Sequence, residues 1–74
     1  IGNKAGDTAQ RVNINTAELW LLTALPGIGE SRAQAVIDYR EENGFFRDTR
    51  EITSVEGIGD GLYAEIHDLI TVAE

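Results

Sequence analysis

Two short stretches of the sequence decide the fold: Leu25-Pro26-Gly27-Ile28-Gly29-Glu30 and Val55-Glu56-Gly57-Ile58-Gly59-Asp60. The second repeats the first at an offset of 30 residues, with an apolar residue, a Gly-Ile-Gly core and an acidic residue in the same order. One Gly-x-Gly arises easily by chance, because glycine is common in turns. Two at one offset, each between segments of helical pattern, indicate an internal duplication.

The segments on either side of each hairpin have the apolar spacing of helices. Proline disfavours the α region at the residue before it, so Leu25-Pro26 ends the first helix. No segment longer than a few residues shows the alternation of a strand. The sequence therefore predicts an all-α fold whose helices span Ala17–Ala24, Glu30 or Ser31 to about Asn43, Arg50–Ser54 with Asp48 as its cap, and about Asp60–Thr71.

Each copy thus contains a short helix, a tight hairpin and a longer helix, and neither copy can bury its apolar face alone. We expect the two to pack about a pseudo-two-fold axis, giving about four to five short helices in all. Residues 1–11 are predicted to be a flexible lead-in and residues 12–74 one domain, with unit one at about 16–43 and unit two at about 48–72.

Three features outside the helices carry further expectations. The alternation in Val12-Asn13-Ile14-Asn15 predicts an extended segment laid on the domain, and Phe45-Phe46 is predicted to be a turn that plugs the core. Trp20 is expected to pack in the core, with a partner surface as the alternative, because tryptophan is enriched at interfaces.

The composition excludes several classes of function. The chain has 74 residues and no cysteine, so disulfides and thiolate metal sites are excluded. It has a single histidine and no Gly-rich loop followed by lysine, so we expect no enzyme and no small-molecule substrate. The net charge of -7 is the wrong sign for holding nucleic acid by a general field. Residues 1–44 have four basic residues against six acidic, whereas residues 45–74 have two against seven.

The paired hairpins nevertheless have the chemistry of a phosphate site. Glycines remove side chains that would block a ligand, and the helix that follows each hairpin begins with amides that have no intrahelical partner. Such contacts hold the backbone of a duplex without reading its bases. The candidate DNA-binding residues are Gly27, Ile28, Gly29, Ser31 and Arg32 at the first hairpin, and Gly57, Ile58, Gly59 and Gly61 at the second. The acidic residues near the second hairpin predict that the first is the stronger contact.

The stretches VNINTAELWLLTALPGIGESRAQAVIDYREENGFF and SVEGIGDGLYAEIHDLITV resemble the C-terminal domain of ComEA-type competence proteins. These belong to the tandem helix-hairpin-helix family, and the resemblance covers roughly Val12 to Val72. It implies non-specific binding of double-stranded DNA, as the receptor in DNA uptake during transformation. It also implies an extracytoplasmic position, with an anchor or export signal in the full-length protein, and possible contacts with other DNA-uptake proteins.

The resemblance further implies a monovalent cation between the hairpin and phosphate, held by backbone carbonyls at Thr23, Leu25 and Ile28 and, by the repeat, at Thr53, Val55 and Ile58. No other cofactor is implied. Two alternatives to DNA uptake remain open. One is a protein-interaction or structural module with little affinity for DNA, and the other is an accessory DNA-binding domain of a longer repair enzyme.

Overall fold

The computed structural model describes residues 11–73, so most of the predicted lead-in lies outside the described residues. Its elements are β1 (Val12–Asn13), α1 (Leu19–Leu22), α2 (Glu30–Asn43), a 3-10 helix (Thr49–Ser54), α3 (Asp60–Ile66), a second 3-10 helix (His67–Leu69) and β2 (Ile70–Thr71). The predicted all-α class is confirmed, because the two strands have only two residues each.

The helix boundaries follow the local chemistry of the chain. The long helix α2 has its predicted bounds and ends at Asn43, followed by Gly44, whose φ of 90° favours glycine. The Asp48 carboxylate caps the 3-10 helix by accepting a hydrogen bond from the Arg50 amide at 2.8 Å. The first helix is shorter than predicted, because Glu18 has an extended backbone (φ -84°, ψ 169°) and the helix begins only at Leu19.

The predicted last helix, which was expected to reach Thr71, ends at Ile66. Beyond a 3-10 turn, Ile70 and Thr71 leave the helix and pair in parallel with Val12 and Asn13. The prediction that no strand forms was therefore wrong for this one pairing. The pairing joins the two ends of the domain and leaves Ile70 buried in the core. It could not be predicted, because strands of two residues are too short to produce a periodic pattern.

The core is shared between the two units. Leu22 and Ile52, which are 30 residues apart, are both fully buried, as are Val36 and Ile66. The duplication also reaches side-chain hydrogen bonds, since the Thr23 hydroxyl donates to the Trp20 carbonyl at 2.8 Å and the Thr53 hydroxyl to the Arg50 carbonyl at 2.9 Å. The duplication that the repeat predicts is therefore present in the packing.

The two aromatic predictions need correction. Phe46 does plug the core and stacks on Tyr39 at 5.2 Å between ring centroids, but Phe45 is 74% exposed. Trp20 is 68% exposed, because Leu22 on the opposite side of α1 faces the core. The indole N–H of Trp20 donates to the Glu18 carboxylate at 2.9 Å.

Along the part of the chain that the structure describes, no helix is long and apolar enough to cross a membrane.

Candidate nucleic-acid interface

Each hairpin is a tight turn closed by one backbone hydrogen bond. The amide of Ile28 donates to the carbonyl of Leu25 at 3.1 Å, and the equivalent bond in the second hairpin is 3.0 Å. Gly27 has a φ of 77° and Gly57 a φ of 92°, which L side chains rarely adopt. A positive φ at the third residue of such a turn is the geometry of a type II turn. The first glycine of each hairpin is therefore required by the backbone.

The isoleucine between the glycines anchors each hairpin to the core. Ile28 is 3% exposed and Ile58 is 2% exposed. Their side chains are thus turned away from solvent. A ligand at either hairpin meets backbone groups.

The second glycine of each hairpin is not required by the backbone. Gly29 and Gly59 have φ values of -86° and -101°, which any residue can adopt. A Cβ built on either residue, or on Gly61, would meet nothing within 4 Å. Neither φ nor packing therefore demands glycine at these positions, and the space above each hairpin is open.

This open space lies where a helix begins. Gly29 precedes α2 and Gly59 precedes α3, and their carbonyls accept the first helical bonds, from Ala33 at 2.9 Å and Tyr63 at 3.0 Å. The amides between each glycine and these donors have no intrahelical partner, and a glycine has no side chain with which to cap them. Free amides at the start of a helix form a site for an anion.

Arg32 contacts both hairpins. Its Nε donates to the carbonyl of Gly57 at 2.7 Å, and its Nη1 lies 3.5 Å from the carbonyl of Gly27. A single guanidinium touches both turns, so the hairpins are adjacent on one surface. An open groove lies between α2 and the second hairpin and is lined by Ser31, Arg32, Ala35, Glu56 and Gly57.

The contact across the pseudo-two-fold axis is reciprocal. Leu62 is the repeat equivalent of Arg32, and its Cδ1 lies 2.7 Å from the position that a Cβ on Gly27 would take. The side chain of Arg32 lies against Gly57 in the same way, with its Cγ 3.4 Å from the equivalent position. Each unit therefore sends one side chain onto the first glycine of the other unit's hairpin.

The charges around the site are mixed. Glu56 lines the groove, and Asp60 is in the first turn of α3, close to the second hairpin. Arg50, which the sequence analysis did not single out, lies 3.9 Å from the Asp60 carboxylate and over the ring of Tyr63. The only signal in the sequence that points to Arg50 is the repeat, which gives it the position in unit two that Trp20 has in unit one. Both side chains of the Arg50–Asp60 pair are exposed, so we expect little stability from it.

The predicted cation site involves carbonyls that already serve the turns. The carbonyls of Leu25 and Val55 each accept one turn hydrogen bond. A carbonyl oxygen has a second lone pair, so these bonds are compatible with a further ligand. The site, with the carbonyls of Thr23, Ile28, Thr53 and Ile58, stays a prediction. Within residues 11–73, no group of three His, Asp or Glu side chains is placed to hold a metal ion.

Comparison with known proteins identifies the same motif. The helix-hairpin-helix motif family matches residues 7–71. The chain is 48% identical over 67 residues to ComE operon protein 1 of Bacillus subtilis, which covers 90% of this chain and 33% of that protein. It is 44% identical over 48 residues to endonuclease/exonuclease/phosphatase family domain-containing protein 1 of Mus musculus, covering 65% of this chain and 8% of that protein. A deoxyribonuclease of Thioalkalivibrio is 40% identical over 62 residues, covering 84% of this chain and 16% of that protein.

The chain therefore spans a third or less of the length of these three relatives. The family match covers both hairpins and the helices on either side of them. The similarity to the Bacillus protein confirms the resemblance to ComEA-type domains. The chain belongs to the helix-hairpin-helix family.

Proposed function

We propose that this domain binds double-stranded DNA without sequence preference, through backbone amides of its two hairpins to phosphates. The observation that carries the proposal is the open space above Gly29 and Gly59. Glycine leaves this space open although neither the φ of these residues nor their packing requires glycine. A bound phosphate oxygen would fill that space and accept hydrogen bonds from the amides at the start of α2 and α3.

The pairing of the hairpins favours a duplex as the ligand. Two equivalent phosphate sites, related by a pseudo-two-fold axis and joined through Arg32, can each take one phosphate from opposite strands across a groove. Phosphate contacts fix the position of the duplex but carry no base information, so binding is independent of sequence. Ser31 and Arg32 at the first hairpin and Gly61 at the second lie at the helix starts and complete the proposed contact surface.

The acidic net charge limits the strength of binding. With a charge of -7, the domain does not attract DNA from a distance, and affinity comes from local contacts only. We therefore expect dissociation constants at the weak end of non-specific binding, in the micromolar range, roughly 10–100 μM at physiological salt.

The resemblance to ComEA-type domains supports a role as the DNA receptor in uptake, outside the cytoplasmic membrane. An anchor or export signal elsewhere in the full-length protein, and contacts with other uptake proteins, are part of this proposal. A monovalent cation held by carbonyls at Thr23, Leu25 and Ile28, and at their repeat equivalents, would add a positive charge between turn and phosphate. The domain binds DNA and does not cut it.

The test is a titration of labelled duplexes of unrelated sequence over a series of salt concentrations. We expect similar affinities for all duplexes and a log-log salt slope of about -1 to -3, because a few phosphates are neutralised. Absence of binding to every duplex at low salt would refute the proposal. A large preference for one sequence would refute the claim that binding is independent of sequence.

Exposed aromatic side chains favour a second candidate function, a protein-interaction module. Trp20 is 68% exposed and Phe45 is 74% exposed. A protein partner that covers Trp20 would change its fluorescence, whereas DNA held at the hairpins alone would not. A third candidate is an accessory domain of a longer repair enzyme. It is supported by the similarity to the deoxyribonuclease and to the endonuclease/exonuclease/phosphatase family domain-containing protein.

A further inference from the structure

The hydrogen bonds of Arg32 cross from one unit of the duplication to the other. Arg32 belongs to α2 of the first unit, yet its shorter hydrogen bond, 2.7 Å from Nε, goes to Gly57, 25 residues further along the chain. Its Nη1 lies 3.5 Å from the carbonyl of Gly27 in its own hairpin. Neither bond uses Nη2.

We propose that Arg32 is a positioning residue that fastens the two hairpins into one binding unit, in addition to contacting phosphate itself. The inference rests on the proposed function, since it assumes that both hairpins grip one duplex. Phosphates on two strands of a duplex are held at a fixed separation, so two hairpin sites bind together only if their own separation is fixed. The shared core brings the hairpins together, and Arg32 holds their separation through the two glycine carbonyls.

The chemistry of the guanidinium suits this role. It is planar and has donors on several nitrogens in a rigid fork, so one side chain can bond two carbonyls and still present Nη2 to a phosphate. A lysine ammonium at this position keeps the charge but lacks the fork, because its three donors share one nitrogen. Charge and positioning can therefore be separated by substitution.

The packing against Gly57 supports the same role. The Arg32 side chain lies so close to this glycine that a Cβ there would be 3.4 Å from both Cγ and Nε. The repeat equivalent of Arg32 is Leu62, which packs on Gly27 but has no donor for its carbonyl. Arg32 is therefore the polar half of a pseudo-symmetric pair of contacts.

The test compares Arg32→Lys and Arg32→Gln with the wild type, and uses Arg47→Gln as a control that removes the same charge from another exposed arginine. Amide resonances of the free protein are recorded by NMR, and duplex affinity is measured over a range of salt. Both Arg32 variants should shift the amide resonances of Gly57, Ile58 and Gly59, whereas Arg47→Gln should not.

Arg32→Lys should lower duplex affinity roughly tenfold while it keeps the salt slope, because the charge is retained and the fork is lost. Arg32→Gln should lower the affinity at least as far and reduce the slope by about one. A double-mutant cycle adds Gly59→Ser, which obstructs the second hairpin. The loss of duplex affinity that Gly59→Ser causes should be smaller by about threefold or more in the Arg32→Lys background than in the wild type.

The proposal is overturned if Arg32→Lys binds DNA as tightly as the wild type, if the second hairpin's resonances do not move, or if the cycle is additive. Absence of duplex binding by the wild type, with the resonances shifted in both variants, would refute the proposed function while confirming the contact of Arg32 with the second hairpin. The two failures are thus distinguishable.

Discussion

Leu62 packs against Gly27 so closely that its Cδ1 lies 2.7 Å from the place a Cβ on this glycine would take. The two residues belong to different units of the duplication, and Gly27 also has a φ of 77°. The first glycine of the hairpin thus serves both the turn and the packing of one unit on the other. The second glycine, Gly29, serves neither, since its φ is -86° and the space around its Cβ position is open.

Substitution of the first glycines should destabilise the fold. Alanine at Gly57 has to adopt a φ of 92°, which we expect to cost about 1–2 kcal/mol. Alanine at Gly27 should cost more, because Leu62 must also move aside. Urea unfolding followed by circular dichroism measures both values.

Gly61→Ala is the matched control for these variants. Gly61 lies within α3, has no positive φ, and has open space where its Cβ would be. Alanine is a better helix former than glycine, so this variant should gain about 0.5–1 kcal/mol in unfolding free energy. Equal effects of alanine at Gly27, Gly57 and Gly61 would contradict the claim that the positive φ of Gly27 and Gly57 requires glycine.

Trp20→Ala should leave the stability nearly unchanged. The side chain is 68% exposed, and substitutions at such positions usually change the unfolding free energy by less than about 0.5 kcal/mol. Leu22→Ala, two residues away and fully buried, should cost about 2–5 kcal/mol. Similar losses for the two variants would show that Trp20 is part of the core.

The sequence predicts the elements that have strong local signals and misses those set by tertiary contacts. The Gly-Ile-Gly turns, the bounds of α2 and the cap of Asp48 depend on residues close together in the chain. The β1–β2 pairing joins Val12 to Ile70, and no pattern within either segment contains that information.

The same distinction applies to the site. The hairpins and the helix starts that follow them were predicted from spacing, and Arg32 was predicted to lie near them. Its bond to Gly57 could not be predicted, because the separation of the hairpins depends on how the two units pack. The ion pair of Arg50 with Asp60 was missed for the same reason.

A second arginine in the position of Leu62 should strengthen DNA binding. By the pseudo-two-fold relation, the side chain of Leu62→Arg should reach the carbonyl of Gly27 as Arg32 reaches that of Gly57. We expect affinity to rise about threefold to tenfold and the salt slope to steepen by about one. A duplex titration at several salt concentrations checks both quantities.

Leu69→Arg is the control for charge alone, since Leu69 is 40% exposed and lies in the second 3-10 helix, away from both hairpins along the chain. A gain in affinity as large as that of Leu62→Arg would show that any added positive charge is sufficient. Leu62 is half-buried, so unfolding of Leu62→Arg should be measured alongside the titration.

The most direct test of the phosphate-binding hairpins is the duplex affinity of the variant Gly29→Ser with Gly59→Ser. Serine is a favoured N-cap, so each hydroxyl should accept a hydrogen bond from a free amide at the start of α2 or α3. The unfolding free energy should therefore equal that of the wild type or exceed it by a few tenths of a kcal/mol. The same hydroxyls would occupy the site of the phosphate. The account predicts a stable variant that has lost roughly tenfold or more of its duplex affinity. A stable variant that binds duplex DNA as tightly as the wild type would contradict it.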